Sequence, residues 1–131
     1  MSDTVKPIFE KHSLFSLLPD DAQTKLIGLG EVKHYEAEEK LITEGEFNQS
    51  LFLILEGSVR ISNSGETIAT VDGNKIVGEI SSAGMSSPVA DVIADSKVKV
   101  VAFPIDVITD YSIDYPDFGE QLRHIGMDRF G

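Results

Sequence analysis

One stretch concentrates the residues able to do chemistry: Val77-Gly78-Glu79-Ile80-Ser81-Ser82-Ala83-Gly84-Met85-Ser86-Ser87-Pro88-Val89-Ala90-Asp91-Val92. A short apolar strand, Lys75 to Val77, meets a glycine and then a lone acid. A run of small residues follows before a second apolar segment, Val89 to Ala94, resumes. Small residues between two strands allow a tight backbone curl and let a ligand approach main-chain N–H groups. Ser81, Ser82, Ser86 and Ser87 add hydroxyls. A plain surface loop is the competing reading. In it the serines are loop polarity, and Glu79 is a solvated or N-capping carboxylate.

No other constellation competes with this stretch. His12, His34 and His124 are far apart, lack metal-ligand spacing and read as surface residues. There is no Walker loop, no Gly-x-Ser-x-Gly elbow and no dinucleotide fingerprint. The chain has no cysteine, which excludes disulfides, thiolate metal sites and a cysteine nucleophile. No catalytic residue, metal site or required cofactor is therefore assigned, and the chain reads as a non-enzyme.

The elements that must position the stretch follow from the apolar pattern. Lys6 to Ser13 suits one or two helical turns with Pro7 in the first. Asp20 is placed to cap a short helix through Ala22, Leu26, Ile27 and Leu29 that closes at Gly28 or Gly30. From Glu31 the period changes. Leu51-Phe52-Leu53-Ile54-Leu55 is a continuous run suited to a buried strand, broken by Gly57. Val59-Arg60-Ile61 alternates as a half-buried strand should, and Phe47, Phe52 and Val59 read as core. Asn63-Ser64-Gly65 and Asp72-Gly73-Asn74 are turn signals around Thr67 to Val71. Ile76-Val77, Val89 to Ala94 and Val98 to Phe103 supply further strands. Seven or eight short strands at such spacing predict an antiparallel sandwich or barrel. Helices resume at Pro104 and again at Pro116, the last with Phe118, Leu122, Ile125 and Met127 or Phe130 on one side.

Composition bounds the rest. The length of 131 residues suits one domain with a real core. No apolar run approaches the length of a membrane span, and the first residues lack the apolar core of a signal peptide, so the expected location is the cytoplasm. The formal net charge of −11 argues against nucleic acid and anionic membranes as partners.

Two local patterns, within this order of parts, resemble the cyclic-nucleotide-binding domain family over Leu14 to about Phe118. The first is Leu41-Ile42-Thr43-Glu44-Gly45-Glu46-Phe47-Asn48-Gln49-Ser50-Leu51-Phe52-Leu53-Ile54-Leu55-Glu56-Gly57. It matches the family's two apolar residues, glycine, acid or amide, small residue, four apolar residues and closing glycine. Asn48 departs from it, standing where the family usually has Gly, Ala or Cys. The second is the opening stretch, which resembles the family's phosphate-binding cassette in Gly78-Glu79, the small Ser81, and Ala90-x-Val92-x-Ala94. The resemblance implies a mainly β fold with flanking α-helices. Its centre is an eight-stranded antiparallel jelly-roll barrel, with one embedded turn of helix in the cassette. It further implies one domain over 1–131, divided into N-terminal helices at 1–30, barrel at 31–103 and C-terminal helices at 104–131.

The resemblance also implies a ligand site at Gly78, Glu79, Ile80, Ser81, Ser82, Ser86, Ser87, Pro88, Val89 and Ala90. In the family the glutamate accepts from the ribose 2′-OH, while a helix N-terminus and an arginine hold the cyclic phosphate. Here Pro88 stands where the family has that arginine, and no arginine lies between Arg60 and Arg123. Proline has neither the bidentate charge of a guanidinium nor a backbone N–H. The function implied is a sensor or regulatory domain that binds cAMP or cGMP with low affinity or has lost that binding. The alternative is a ligand-independent interaction or dimerisation module, with the apolar stripe around Phe118 and Leu122 exposed for a second copy or an effector protein. Residues 105–131 hold no second recognition helix with basic residues, so no DNA-binding output is expected from this chain.

Overall fold

The fold was analysed in a computed structural model that describes residues 2–46, 49–78 and 90–130, with side chains described from 3 to 125 within those stretches. Helix α1 (Ser2–Lys11) is followed by a 3-10 turn (Phe15–Leu17) and helix α2 (Asp20–Leu29). Eight strands come next: β1 (Glu31–Tyr35), β2 (Lys40–Ile42), β3 (Ser50–Glu56), β4 (Ser58–Asn63), β5 (Glu66–Asp72), β6 (Ile76–Val77), β7 (Asp91–Ala94) and β8 (Val98–Pro104). Helices α3 (Ile105–Asp114) and α4 (Pro116–Phe130) close the chain. The strands form two four-stranded antiparallel sheets, ordered β1-β8-β3-β6 and β2-β7-β4-β5. This is the expected jelly roll with flanking helices.

The two sheets differ because their outer faces differ. The β1-β8-β3-β6 sheet is covered on both sides. Leu51 and Leu53 of β3, with Val101 and Phe103 of β8, join a core built with Phe9, Phe15, Leu26, Phe118 and Leu122 of the helical layer. Phe52 and Ile54, with Val98, Val100 and Ala102, point the other way into the space between the sheets. A strand buried on both faces needs an unbroken apolar run, and that is why Leu51 to Ile54 lacks alternation. The β2-β7-β4-β5 sheet has one outer face in water. Val59 and Ile61 face inward there, while Arg60 between them is only half-buried.

The helical layer departs from expectation in three places. Helix α1 starts at Ser2, so Pro7 lies inside it and not in its first turn. Val5 and Phe9, four residues apart on one face, are both fully buried, and that packing outweighs the backbone hydrogen bond the proline removes. At α2, Pro19 is the N-cap and makes no side-chain cap. Asp20 is the first helical residue, and its carboxylate pairs with the Lys6 ammonium at 2.6 Å. The helix runs through Gly28 to Leu29, with Gly30 as its C-cap. The third departure concerns α4. Phe118 and Leu122 are 0% exposed and belong to the interior, with the Phe118 ring 6.2 Å from that of Phe15. The side chains of Met127 and Phe130 lie outside the described residues.

The bend between β3 and β4 depends on one residue. Gly57 has φ +85, and a Cβ there would lie 2.3 Å from the Lys97 carbonyl oxygen. Gly57→Ala is expected to destabilise the fold by about 1–3 kcal/mol, from left-handed backbone strain alone before the clash is added. Urea unfolding checks this: the midpoint should fall with the slope unchanged. A midpoint equal to that of the native chain would remove the argument.

Candidate functional site

The ends of the cassette stretch are described, and they sit in different sheets. Strand β6 pairs with β3 through Phe52 opposite Val77 and Leu53 opposite Ile76. Strand β7 pairs with β2 and β4 in the other sheet. Residues 79–89, between these strands, therefore connect one sheet to the other. Glu79, Ile80, Ser81, Ser82, Ser86, Ser87, Pro88 and Val89 lie outside the described residues, as does Phe47. Of the expected site residues, Gly78 and Ala90 are described.

Each sits at the edge of its strand, Gly78 just after β6 and Ala90 just before β7. Gly78 follows β6 with φ +93, a backbone region that a side chain would make costly. Ala90 is 4% exposed and packs in the inter-sheet core with Val77, Val92 and Val100. The small methyl leaves the chain close to the inner face as it enters β7. That inner face is apolar: Phe52, Ile54, Val71 and Ala94 complete it. Tyr35 packs at its border, edge-on to Phe52 with ring centroids 6.4 Å apart. Burial pushes the Tyr35 hydroxyl above the usual phenol range, with Glu39 and Glu31 adding to the effect.

Cations are the scarce resource around an anion site, so where they go decides the chemistry. Arg60 points away from the inner face and is held by two carboxylates. Its Nη2 lies 2.5 Å from Glu38 Oε2, and its Nη1 lies 2.7 Å from Asp95 Oδ1. The hydrogen bonds that the guanidinium donates to these acids raise it above its ordinary range, and Arg60 in turn holds the Glu38 carboxyl below its own. Arg123 pairs with Glu120 on α4. Neither guanidinium is free for a phosphate. Lys97, near the far end of β7, is exposed in the turn before β8.

Two features near the ends of β7 were missed from the sequence. Asp91, the residue after Ala90, accepts the Glu44 amide on Oδ1 at 2.8 Å, and its Oδ2 lies 3.4 Å from Lys40 Nζ. It thereby ties the turn at Glu44-Gly45 to the start of β7. Glu38 adopts φ +75, and around it the Glu38 amide donates to Ala94 while the Ala94 amide donates to Glu39. Asp91 had one readable signal, an acid beside an inward-facing valine in a short strand. The Arg60 clasp had none, since its members are far apart in the chain.

The histidines divide. His34 and His124 are exposed, as expected, with His124 beside Glu120. His12 is not a surface residue of that kind: it is half-buried, its Nδ1 accepts the Leu14 amide at 3.0 Å, and its ring leans on Phe15 with centroids 4.9 Å apart. No helix among the described residues is long and apolar enough to cross a membrane. No group of three or more His, Asp or Glu among them is arranged to hold a metal.

Comparison with known proteins supplies the relatives. A family model described as the cyclic nucleotide-binding domain matches residues 32–112. The chain is 37% identical over 54 residues to human cGMP-dependent protein kinase 2, a match spanning 41% of this chain and 7% of the kinase. Among solved structures, the sensor domain of the transcriptional regulator DNR from Pseudomonas aeruginosa superposes with a TM-score of 0.84 at 14% identity, covering 98% of this chain and 91% of that one. The regulatory subunit of a cAMP-independent protein kinase A from Trypanosoma brucei gives 0.82 at 20% identity, covering 95% and 45%. A triple-substituted form of the same subunit, one substitution introducing arginine, is bound to cAMP in its A site and gives 0.80 at 20% identity, covering 94% and 46%.

Proposed function

Because this chain belongs to the cyclic nucleotide-binding domain family, we propose that it is a sensor or regulatory domain whose nucleotide site has lost its phosphate clamp and binds weakly. The observation that carries this reading is the commitment of the two arginines whose side chains are described, with Arg129 lying outside them. Pro88 stands at the clamp position, and the described guanidiniums of Arg60 and Arg123 are spent on Glu38, Asp95 and Glu120. Glu79 would keep the sugar contact, and the small residues Ser81 to Ser87 would present main-chain N–H groups to an anion. The net charge of −11 opposes an anionic ligand further. The cAMP-independent kinase subunit of the trypanosome gives the reading a parallel, because the cAMP-bound form of that subunit carries an introduced arginine.

The reading takes residues 1–131 as one unit. In its favour, α1, α2, α3 and α4 share a single core with β3 and β8. It takes the unit as a binding domain and not an enzyme, in keeping with the family model that matches it. The interaction-module alternative leaned on Phe118 and Leu122 as an exposed stripe. Both are interior, so these two residues offer no face to a partner.

Calorimetric titration with cAMP and with cGMP tests the proposal. Weak heats saturating between micromolar and millimolar nucleotide, and lost in Glu79→Ala, are expected. No heat at millimolar nucleotide from a folded chain would end the ligand reading.

A further inference from the structure

Two lysines without an acid partner meet at one cleft. Lys6, Lys40 and Lys99 each pair with a carboxylate. Lys11 and Lys75 pair with none among the described residues, although Asp and Glu outnumber Lys and Arg by 22 to 11. Both border the same cleft, of about 440 Å³, between the end of α1 and the β5–β6 turn. That volume falls within the range of small-molecule pockets. Glu10 precedes Lys11 in sequence and Asp72 lies just before the turn, but neither borders the cleft. No carboxylate is among the described residues that do.

The backbone that carries each lysine is fixed. Helix α1 is anchored by Val5 and Phe9, both fully buried, and the Phe9 ring stacks on Phe15 with centroids 4.1 Å apart. In the β5–β6 turn the Asn74 amide donates to the Ile54 carbonyl at 2.8 Å, and the Lys75 carbonyl accepts the Ile54 amide at 2.9 Å. His12 forms part of the wall, its ring held by the Leu14 amide on Nδ1 at 3.0 Å and by Phe15. Ser13 and Asn74 add a hydroxyl and an amide, and Pro7 and Ile8 give the cleft an apolar side. Lys11 lies in the last turn of α1, where an ammonium also complements the negative end of the helix. Lys75 stands in a turn and has no such second role.

We propose that this cleft is an anion site, built from residues distinct from the cassette, that takes a small phosphate monoester. Two ammoniums match the nearly two negative charges such an ester carries at neutral pH, whereas a carboxylate or a phosphodiester brings one. Lysine binds phosphate as a point charge, so the neighbouring hydroxyl and amide complete the shell without a planar fork. The apolar side at Pro7 and Ile8 suits a hydrocarbon or ring carried on the ester oxygen. A cyclic nucleotide is a singly charged diester, so the ligand class differs from that of the cassette. Both lysines are exposed, and screening by solvent and salt sets the affinity in the millimolar range. The site rests on described residues alone and does not depend on nucleotide binding.

Amide NMR of the full chain, titrated with phenyl phosphate at about pH 7.5, tests it, since the ester is then almost wholly dianionic. The Ser13, Asn74 and Lys75 amides should shift and saturate. Lys11→Gln and Lys75→Gln should each weaken binding by about 2- to 5-fold, and the double variant by about tenfold. Lys25→Gln, an exposed lysine of α2 away from the cleft, should leave it unchanged. Methyl phenyl phosphate, the monoanionic diester, should bind several-fold more weakly. Inorganic phosphate should shift the same amides with lower affinity, because it has no body to lie on Pro7 and Ile8. Shifts that fail to saturate at tens of millimolar, or that persist undiminished in the double variant, overturn the site. Equal affinity for phenyl phosphate and its methyl ester, or tighter binding of inorganic phosphate, overturns its assignment to a monoester.

Discussion

Pro88→Arg is expected to tighten cAMP binding by about 30-fold or more. Removing one member of a buried charge pair costs about 2–5 kcal/mol, which corresponds to about 30- to several-thousand-fold in affinity. Restoring the guanidinium should recover the lower part of that range, because its neighbours have not been tuned to it. The gain should come with a steeper salt dependence, as a new charge contact to phosphate is screened by added ions. Calorimetry of the native chain and the variant at two salt concentrations reads both effects. An unchanged dissociation constant in a folded Pro88→Arg chain would show that Pro88 is not at the clamp position. The companion variant Pro88→Lys should gain less, since an ammonium is a point charge without the planar fork.

Phe118→Ala should cost about 3–5 kcal/mol, which is the range for emptying a buried aromatic site. The side chain is 0% exposed and lies against Phe15 in the core that joins α4 to the N-terminal helices and to β3 and β8. For a chain with total stability of about 5–15 kcal/mol this is a large fraction. The melting temperature should drop by about 10–20 °C. Ile113→Ala is the control: that side chain is 72% exposed, and its truncation should change stability by less than about 0.5 kcal/mol. Equal midpoints for the two variants in urea would mean that α4 is not docked as described. The same experiment decides whether the last helix is part of the domain or a detachable arm.

The two predictions probe different layers, and the layers were unequally legible. The chain order of apolar runs, glycines and turn signals was sufficient for an antiparallel sandwich or barrel between helices, and the family resemblance narrowed it to the eight-stranded jelly roll. Local pattern carries that information, because a strand buried on both faces cannot alternate and a strand with one wet face must. Leu51 to Ile54 and Val59 to Ile61 show the two cases side by side. That Pro88 stands where the family resemblance expects an arginine was legible for the same reason: residue type at a motif position needs no geometry to be seen.

Three things depended on tertiary packing. The stripe on α4 reads identically whether it meets a partner or its own domain, and only the position of Phe15 and Phe103 turns Phe118 inward. Asp20 does not cap α2, and its carboxylate meets Lys6 of another helix, a contact that exists only once the two helices are packed. The outward clasp of Arg60 by Glu38 and Asp95 joins residues far apart in the chain. Sequence by itself determined the β architecture and the proline at position 88, since periodicity and residue identity are local properties. Which face each helix buries, and which acid each cation meets, was decided by the folded chain, since those distances exist only once the sheets and helices are in place.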